Sequence, residues 1–475
     1  MPRKSLPFAL ALLAIAAVAS AQSIQRLAHQ PPDGAGIGFL LTDGTVFYQG
    51  NAESDWYKLT PDNTGSYVNG TWAKMANLPA GYVPDAFASA VLADGRVVIT
   101  GGEYLNNNFT LTNLGAIYDP AANTWSNLPA PSTWLYIGDS PSVVLPNGSF
   151  MVGNKLTKQD AILNPKTLTW TVLPGQGKAD FDAEEGWTLL PDGSVLTSDV
   201  KDAPHSERYI PASKKWISAG STIVDLHSPS TLGCIRYGPN GSLCYFPPGE
   251  IGPAILRPDG TVFATGSNSS TGNGAGHTAI YNTKAKTWTV GPDFPNGDNA
   301  GDNFAVLLPS GQVLVEGGIG SYLWDGTSLT QTLATFGSLI VLPTGQVLVG
   351  GTEVYNPAGT YDQAWAPTIT SVATSLNRGT TYKISGTQFN GLSQAAAFGD
   401  EFETATNYPL VRITNTGTGH VFYAKTHNHS TMAVATGAAI VSTNFDVPST
   451  METGASTLEV VANGIPSLPV SVTVN

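Results

Sequence analysis

Charged residues are scarce in this sequence: they make up 12% of its 475 residues, about half the share that is usual in globular proteins. The charge that is present is mostly negative, with 35 Asp and Glu against 22 Lys and Arg and a net charge of −13. Because like charges repel at long range, this balance disfavours nucleic acid or an acidic membrane surface as a partner. Glycine and proline are instead plentiful, which favours short strands joined by tight turns.

Long hydrophobic runs are also missing, apart from residues 6–18, which are too few to span a bilayer. This run follows Arg3 and Lys4 and precedes the small residues 19–21, which is the arrangement of a secretory signal peptide. We expect cleavage before Gln22 and a protein secreted to the extracellular space or the periplasm, with no membrane insertion.

Only two cysteines are present, Cys234 and Cys244, and they flank a turn-forming stretch at residues 238–241. In an oxidising compartment this spacing predicts a disulfide across a hairpin, with two free thiols as the alternative. The sequence has no C-x-x-C motif and no His or Lys in this loop, so it does not indicate redox catalysis by these thiols.

One pattern recurs seven times: an apolar strand, a turn that ends in glycine, and a second apolar strand. The turn glycines are Gly44, Gly95, Gly148, Gly193, Gly260, Gly311 and Gly345. Several copies continue into two further strands that end at a tryptophan, namely Trp125, Trp170, Trp216 and Trp288. Four-stranded repeats of about 50 residues predict an all-β fold, a seven-bladed kelch-type β-propeller. We expect the repeated tryptophans to pack between blades.

The repeat stops after Tyr361, and the remaining sequence contains short stretches in which apolar and polar residues alternate. Alternation with period two predicts strands that are buried on one face, and several such strands in about 100 residues predict a β-sandwich. We place the boundary near Trp365.

The Leu-Pro-Asp-Gly-x-Val repeats, the Tyr-Asp-Pro…Trp phrase at residues 118–125 and the appended sandwich resemble the galactose oxidase and glyoxal oxidase group of kelch proteins. The resemblance covers about residues 37–475, and residues 381–390 resemble an IPT/TIG-type or E-set-like immunoglobulin-like domain. Together with the signal-like residues, the resemblance predicts three parts: a signal peptide at residues 1–21, a kelch propeller at 22–365 and an immunoglobulin-like sandwich at 366–475.

The oxidases of that group hold one copper ion with two Tyr and two His, and one of these Tyr is cross-linked to a Cys. This sequence departs from the pattern, because residues 336–338 read Phe-Gly-Ser where the group has a Tyr-His pair. Residues 85–87 read Asp-Ala-Phe at the position of the cross-linked Tyr, and residues 400–406, which match the group's C-terminal hairpin, contain no His. A looser alignment brings His420 to that hairpin. We therefore expect that copper is not bound.

Acidic residues occupy a repeated position nine or ten residues before the turn glycine in blades two to six: Asp85, Asp139, Glu184, Glu250 and Asp302. Blade four adds Glu185, and Asp33 stands eleven residues ahead in blade one. In a propeller this position begins the strand that lines the central channel, so we expect these carboxylates to converge at one channel mouth.

Converging carboxylates are compatible with four roles. They can bind Ca²⁺ or another hard cation. They can bind a polyol or sugar, with Trp134, Trp187 and Tyr136 offering apolar faces. Two of them can form the acid/base pair of a glycosidase. Finally, each can simply cap a turn or bond a neighbouring backbone amide.

Histidines give weaker signals. His427 and His429 lie on one face of an extended segment, a spacing that suits metals, although a surface hairpin is the alternative. His205, His227 and His277 lie in blade loops with no recognisable partner.

These observations predict a secreted monomer, not an enzyme, that binds an extracellular carbohydrate or another cell-surface ligand at the channel mouth. The alternatives are a copper-radical oxidase of alcohols or aldehydes, an acid-dependent glycosidase, and a structural or adhesive surface protein.

Overall fold

The computed structural model describes residues 22–267 and 275–475, and the chain is all-β in these ranges. Apart from strands it contains three short 3₁₀ turns, Pro239–Gly241, Pro295–Gly297 and Gln363–Trp365. Within the described ranges, no helix is long and apolar enough to cross a bilayer. The predicted signal peptide, residues 1–21, lies outside the described residues.

Among the described residues, six sheets contain four antiparallel strands each and a seventh, sheet 6, contains five; we number these seven sheets along the chain. Sheet 1 contains the strands Gly38–Leu40, Val46–Gln49, Trp56–Thr60 and Thr71–Lys74. Sheet 2 contains Ala88–Val91, Val97–Thr100, Gly115–Asp119 and Thr124–Asn127. Sheet 3 contains Ser142–Val144, Phe150–Gly153, Asp160–Asn164 and Thr169–Leu173. Sheets 4 and 5 are Thr188–Leu189, Val195–Ser198, His205–Ile210 and Lys215–Ser221; then Ala254–Leu256, Thr261–Thr265, Thr278–Asn282 and Thr287–Val290. Sheets 6 and 7 are Ala305–Leu307, Val313–Glu316, Ser321–Trp324 and Leu329–Gln331; then Leu339–Val341, Val347–Val349, Glu353–Asn356 and Ser23–Arg26.

Smaller strands lie in the loops between these sheets. They are Pro84–Asp85 with Tyr104–Leu105 and Asn108–Phe109, Ser228–Pro229 with Gly249–Glu250, and Ile235–Tyr237 with Leu243–Tyr245.

The first strand of each sheet is its innermost strand. These strands are almost entirely buried, and the first strands of sheets 7 and 1, 2 and 3, 4 and 5, 5 and 6, and 6 and 7 contact each other. The predicted turn glycine joins the first strand to the second in every sheet, with φ between 75° and 86°. An L-residue with a side chain adopts that left-handed conformation only at a cost, which explains the repeated glycine.

Sheet 7 is completed by the beginning of the chain. Ser23–Arg26 pairs antiparallel with Glu353–Asn356, so that Ser23 lies opposite Asn356. The sequence analysis did not identify this strand, because four residues without the repeated pattern carry no signal of their partner. The pairing links the two ends of the repeat region through backbone hydrogen bonds.

The repeated tryptophans connect successive sheets. Each indole Nε1 donates to the preceding sheet or the loop that follows it: Trp125 to the Ala76 carbonyl, Trp170 to the Pro129 carbonyl, Trp216 to Asp160 and Trp288 to Ser206. The rings also stack within their own sheets, as Trp216 does against Tyr209. The expectation that they pack between sheets is confirmed.

The last hundred residues form a separate hydrogen-bonded set of strands around their own apolar core, which includes Ile384, Val411, Phe445 and Leu458. These strands are Thr368–Ser371, Ser375–Leu376, Thr381–Thr387, Leu410–Asn415, Val421–His427, Val441–Asp446, Gly454–Ala462, Ile465–Pro466 and Val470–Val474. One further strand, Ala396–Ala397, leaves this set and pairs with the first strand of sheet 6. Residues 396–403 therefore bring the C-terminal part of the chain to the middle of the seven sheets.

Candidate functional site

A left-handed residue precedes the first strand of each sheet, and it sets the geometry of the candidate site. These residues have φ between 50° and 124°, and each lies eight to eleven residues before its turn glycine: Gly34, Ala86, Gly138, Glu184, Gly249, Asp302 and Gly337. This conformation turns the chain sharply from an outer loop into the buried strand. Glu184 and Asp302 adopt it with a side chain present, at a cost on the order of 1 kcal/mol. Such strain is concentrated at functional sites in proteins.

Lys155 joins two of the predicted acidic residues. It follows the second strand of sheet 3, its side chain is fully buried, and its Nζ contacts Asp139 Oδ2 and lies 2.7 Å from Glu184 Oε1. Glu103 is 4.0 Å away on the other side. Burial alone lowers the pKa of a lysine, but Asp139 and Glu184 outweigh it, so the pKa of Lys155 rises well above its usual value and the ammonium stays charged.

The hairpin that contains Cys234 and Cys244 covers this ion cluster. The structure contains the predicted disulfide, with a Cα–Cα distance of 5.3 Å, and it ties Ile235–Tyr237 to Leu243–Tyr245. Tyr245, next to Cys244, donates its hydroxyl to Glu184 Oε1 at 2.9 Å, and its ring centroid lies 5.2 Å from Lys155 Nζ. The hairpin therefore brings a hydroxyl donor to Glu184 from a distant part of the chain.

The C-terminal segment at residues 396–403 adds two more carboxyls. Asp400 faces Glu184 and Glu401, and Glu401 is influenced in turn by Asp302 and Asp139. The approach depends on Gly186, because a Cβ at this position would lie 2.2 Å from the carbonyl oxygen of Gly399. We call Lys155, Asp139, Glu184, Glu250, Asp302, Asp400 and Glu401 together the mouth cluster.

Glu250 and Asp302 form the solvent side of the mouth cluster. Glu250 is partly exposed to solvent. Asp302 is exposed as a residue, although many protein atoms lie close to its carboxyl group. Burial, together with the nearby Glu184 and Asp302 charges, raises the pKa of Glu250 to about 9, and burial with Asp400 raises the pKa of Asp302 to about 8. Both groups therefore carry protons at neutral pH in the protein alone.

The deeper carboxyls divide into one whose pKa is lowered and others whose pKa is raised. Burial disfavours the charge on Glu184, but Lys155 and hydrogen bonds outweigh this effect and hold its pKa below the usual value. Burial raises the pKa of Asp400 and of Glu401 well above the usual range. Carboxyl groups that lie close together but differ widely in pKa are typical of functional sites.

Asp85 is not part of this cluster. It is exposed, its Oδ1 accepts the backbone N–H of Ala86 at 2.9 Å, and its charge acts on Glu53 and Glu103. Asp33 is similarly separate and accepts the backbone N–H of Ala52. Of the five acidic positions singled out in the sequence, the structure brings together Asp139, Glu184, Glu250 and Asp302.

Glu185 points away from Glu184 into a second ion cluster, formed by Lys178 with Asp180, Asp182, Glu185 and Glu207, which we call the Lys178 cluster. The fully buried Lys178 Nζ lies 3.0, 3.9, 2.9 and 3.1 Å from oxygens of these four carboxylates. The ammonium lies 5.3 Å from the centroid of Trp216. One loop, residues 178–186, thus supplies side chains to both clusters.

The histidines differ from the sequence expectations. His205, His227 and His277 do have partners, since their Nδ1 atoms lie 2.5, 2.8 and 2.7 Å from Asp199, Asp225 and Asp293, respectively. His429 is buried, bonds Thr443 through Nδ1 and has its pKa lowered by burial to about 3, whereas His427 bonds Asp446. His427 and His429 therefore act within the C-terminal strands, and the idea of a metal-binding pair receives no support.

Two of the proposed apolar faces are also wrong. Trp134 and Trp187 are each only 4% exposed, so a ligand cannot stack on them. Large apolar side chains are instead exposed on loops around the first strands: Tyr104, Leu135, Phe181, Leu243 and Phe246. These exposed side chains could not be predicted from the sequence, because the exposure of a loop residue depends on the fold around it.

Larger surface clefts lie elsewhere. One of about 400 Å³ is lined mainly by residues 309–310, 343–346 and 356–361, and another of about 440 Å³ by residues 145–147, 192–194 and 210–212. Both lie beside turn glycines, at the opposite end of the first strands from the mouth cluster. They gather far fewer titratable groups.

Comparisons with known proteins give only distant likenesses. No protein-family model matches the chain. The Kelch-like protein terF of Aspergillus terreus is 30% identical over 88 residues, which is 18% of this chain and 18% of that protein. A fungal alcohol oxidase of the AA5 family, solved in complex with copper, aligns with a TM-score of 0.48 and 13% identity over 96% of this chain and 99% of that chain. Virginiamycin B lyase from Staphylococcus aureus aligns with a TM-score of 0.45 and 11% identity over 70% of this chain and 98% of that chain.

The disulfide hairpin permits a direct test of how the site is held together. Replacing both Cys234 and Cys244 with serine is expected to lower the free energy of unfolding by about 2–3 kcal/mol, because the ten-residue loop regains its freedom in the unfolded chain. Tyr245→Phe, which keeps the disulfide, is expected to cost about 1–2 kcal/mol through the lost hydrogen bond to buried Glu184. Urea denaturation measures both effects, and a double serine variant as stable as the parent would show that the hairpin is not constrained in this way.

Proposed function

We propose that this chain is an exported kelch-type protein that binds an extracellular carbohydrate at its mouth cluster without oxidising it. In this proposal the seven sheets are the blades of one propeller, and residues 366–475 form an immunoglobulin-like sandwich. The repeats, the contacts between successive first strands and the disulfide support the architecture, and the signal-like residues 1–21 support export.

The observation that carries the proposal is the set of hydrogen-bonding groups at the mouth cluster. Glu250 and Asp302 offer carboxyl oxygens on the solvent side, and Lys155, Glu184 and Tyr245 form a fixed, fully bonded floor beneath them. Sugar hydroxyl groups both donate and accept, so they match carboxyl groups that are held in place. Exposed apolar side chains such as Leu135 and Phe246 provide contact surface for the C–H faces of a sugar.

The donor atoms of the mouth cluster do not suit copper. The contacts described there involve carboxylate oxygens, one ammonium and one phenol, whereas copper in proteins favours imidazole and sulfur ligands. Among the described residues, the acidic and histidine groups that come together here are Asp139, Asp400 and Glu401. We therefore assign no oxidation step to this site.

Binding of soluble oligosaccharides to the purified mature protein tests the proposal. We expect at least one class of glycan to bind and the double variant Glu250→Gln, Asp302→Asn to lose at least about tenfold in affinity, or about 1.4 kcal/mol. Asp259→Asn is the matched control, because Asp259 caps the turn at the far end of the first strand of sheet 5 and asparagine keeps that cap. Binding that is equally strong in all three proteins would place the ligand elsewhere and refute the proposal.

A second candidate function, hydrolysis of a glycosidic bond, is favoured by one observation. Glu184 has a lowered pKa while the neighbouring Glu250 has one of about 9, which pairs an ionised carboxylate with a protonated acid at neutral pH. If this pair is catalytic, polysaccharide incubated with the protein releases reducing sugar, and Glu184→Gln abolishes the release. Binding without product release leaves the binding function as the sole assignment.

A further inference from the structure

Three buried carboxyls of the mouth cluster lie close enough to share one ion. Asp139, Asp400 and Glu401 are 4, 6 and 8% exposed. Each offers an oxygen, and the three oxygens lie within 4.8 Å of one another. Asp139 comes from the loop before sheet 3, whereas Asp400 and Glu401 come from the C-terminal segment, so two distant parts of the chain meet here.

Oxygens in this group lack hydrogen-bond donors. Lys155 contacts Asp139 through Oδ2 only, and Asp139 Oδ1 has no hydrogen-bond partner among the described residues. Both carboxyl oxygens of Asp400 are likewise buried, and in the described part of the chain their only hydrogen-bonding partners are protons shared with the carboxyls of Glu184 and Glu401. The groups nearest to Asp400 are Glu184 and Glu401, which are themselves carboxyls. Buried polar oxygens normally have a partner, so these three atoms point to one that the chain does not supply.

The balance of charge at the site also favours a bound cation. Lys155 is one positive charge, and it is already shared between Asp139 and Glu184. Asp400 and Glu401 add two further carboxyls, and among the described contacts no second lysine or arginine approaches them. A divalent cation would balance this excess and fill the coordination of the unpartnered oxygens.

We propose that Asp139, Asp400 and Glu401 bind one calcium ion at the base of the channel mouth. Calcium prefers oxygen ligands at about 2.3–2.6 Å, so oxygens on opposite sides of the ion lie up to about 5 Å apart, which fits the spacing found here. Magnesium at about 2.0–2.1 Å requires a tighter arrangement, and zinc favours nitrogen and sulfur. The proposal deepens the assignment of the mouth as a binding site, but the ion site stands on its own contacts.

Calcium at this place would fix the C-terminal segment to the channel. Residues 396–403 are also held by the pairing of Ala396–Ala397 with sheet 6, by the hydrogen bond from the Phe402 N–H to the Phe87 carbonyl, and by ring contacts of Phe398 and Phe402. Calcium takes six to eight oxygen ligands, so three carboxylates need not fill its coordination, and a sugar hydroxyl could supply a further ligand. Binding of glycan and calcium would then support each other.

Titration calorimetry with calcium chloride tests the ion site on mature protein that has been treated with EDTA and dialysed, with no glycan present. We expect one site per chain and at least a tenfold weaker affinity in Asp400→Asn. Asp180→Asn tests a second group of close carboxylates, Asp180 with Glu185 and Asp199, and is expected to bind calcium like the parent, because Lys178 already contacts Asp180 and Glu185 there. Absence of calcium binding, or binding that is lost in Asp180→Asn and kept in Asp400→Asn, would overturn the proposal.

Thermal melting supplies a second measurement that does not depend on heats of binding. Asparagine removes a buried carboxyl that has no partner in EDTA, so Asp400→Asn is expected to melt higher than the parent in EDTA and lower than the parent in millimolar calcium. This crossover distinguishes a lost ligand from a misfolded variant, because a misfolded variant melts lower in both conditions. Calcium binding without any glycan binding would support the calcium site and refute the proposed function alone. Glycan binding that is unchanged in EDTA, with no calcium binding, would support the proposed function and refute the calcium site.

Discussion

Replacing Lys178 with methionine is expected to lower the free energy of unfolding by about 3–5 kcal/mol at neutral pH. The Lys178 ammonium is fully buried and lies within 4.0 Å of oxygens from four carboxylates, of which Asp182 and Glu185 are themselves fully buried. Methionine fills a similar volume but leaves these carboxylates without their cation. Desolvated charges that lose their partner cost far more than the ion pair itself contributes.

Urea denaturation of Lys178→Met measures this loss, and Lys74→Met is the matched control. Lys74 also contacts a carboxylate, Asp55, at 2.6 Å, but more than half of its side chain is exposed. An exposed pair of this kind contributes little to stability, because water screens its charges. Equal losses in the two variants would show that the Lys178 cluster is not desolvated as described here.

The free energy of unfolding is expected to fall as the pH rises from about 6.5 to about 8. Burial raises the pKa of Glu316 to about 8 from an ordinary value of 4.5. In this interval the unfolded chain has lost the Glu316 proton while the folded chain still holds it, so stability decreases by about 1.4 kcal/mol per pH unit for each such group. Asp160 and Asp199, with pKa values of about 7, act in the same direction in the lower part of the interval.

The interval is chosen because His429 acts in the opposite direction below it. Burial lowers the pKa of His429 to about 3, so the unfolded chain takes up a proton first as the pH falls below about 6.5. Glu316→Gln is expected to remove one group's share of this slope in urea measurements and to leave the rest, because Glu403 also has a pKa of about 8. Stability that rises over this interval in the parent would contradict the burial of these carboxyls.

Much of the architecture could be predicted because it repeats. Gly44 and its six counterparts each mark a hairpin, since only glycine adopts φ near 80° without cost. The repeated tryptophans mark the contact between successive sheets, and the two cysteines mark a hairpin between sheets 4 and 5. In each case a local requirement of the backbone or the side chain leaves a trace in the sequence.

The candidate site was predicted only in part, because its decisive contacts join distant segments. Asp139 and Glu184 could be singled out by their repeated position, and their role in binding stays a prediction. Lys155 could not, because a single lysine in a loop looks like a solvated surface residue until the fold buries it. Tyr245 was missed for the same reason, since the sequence identifies its hairpin but not the direction in which the hairpin points.

The two buried clusters have different chemical situations although both are rich in carboxylates. In the Lys178 cluster the ammonium reaches all four carboxylates, so the protein supplies the cation itself. In the mouth cluster Lys155 reaches Asp139 and Glu184, while Asp400 lies against the carboxyls of Glu184 and Glu401 with no cation among its described contacts. We therefore expect the Lys178 cluster to be structural and the mouth cluster to bind ligands.

Hydrogen exchange measured with and without a bound oligosaccharide tests most directly whether the mouth cluster is the ligand site. We expect the oligosaccharide to slow hydrogen exchange only at the mouth, at amides near residues 180–190, 243–256, 298–304 and 396–404. Protection around residues 343–346 and 356–361 instead, with none at the mouth, would place the ligand in the cleft beside these turns and contradict the assignment of the mouth cluster as the ligand site.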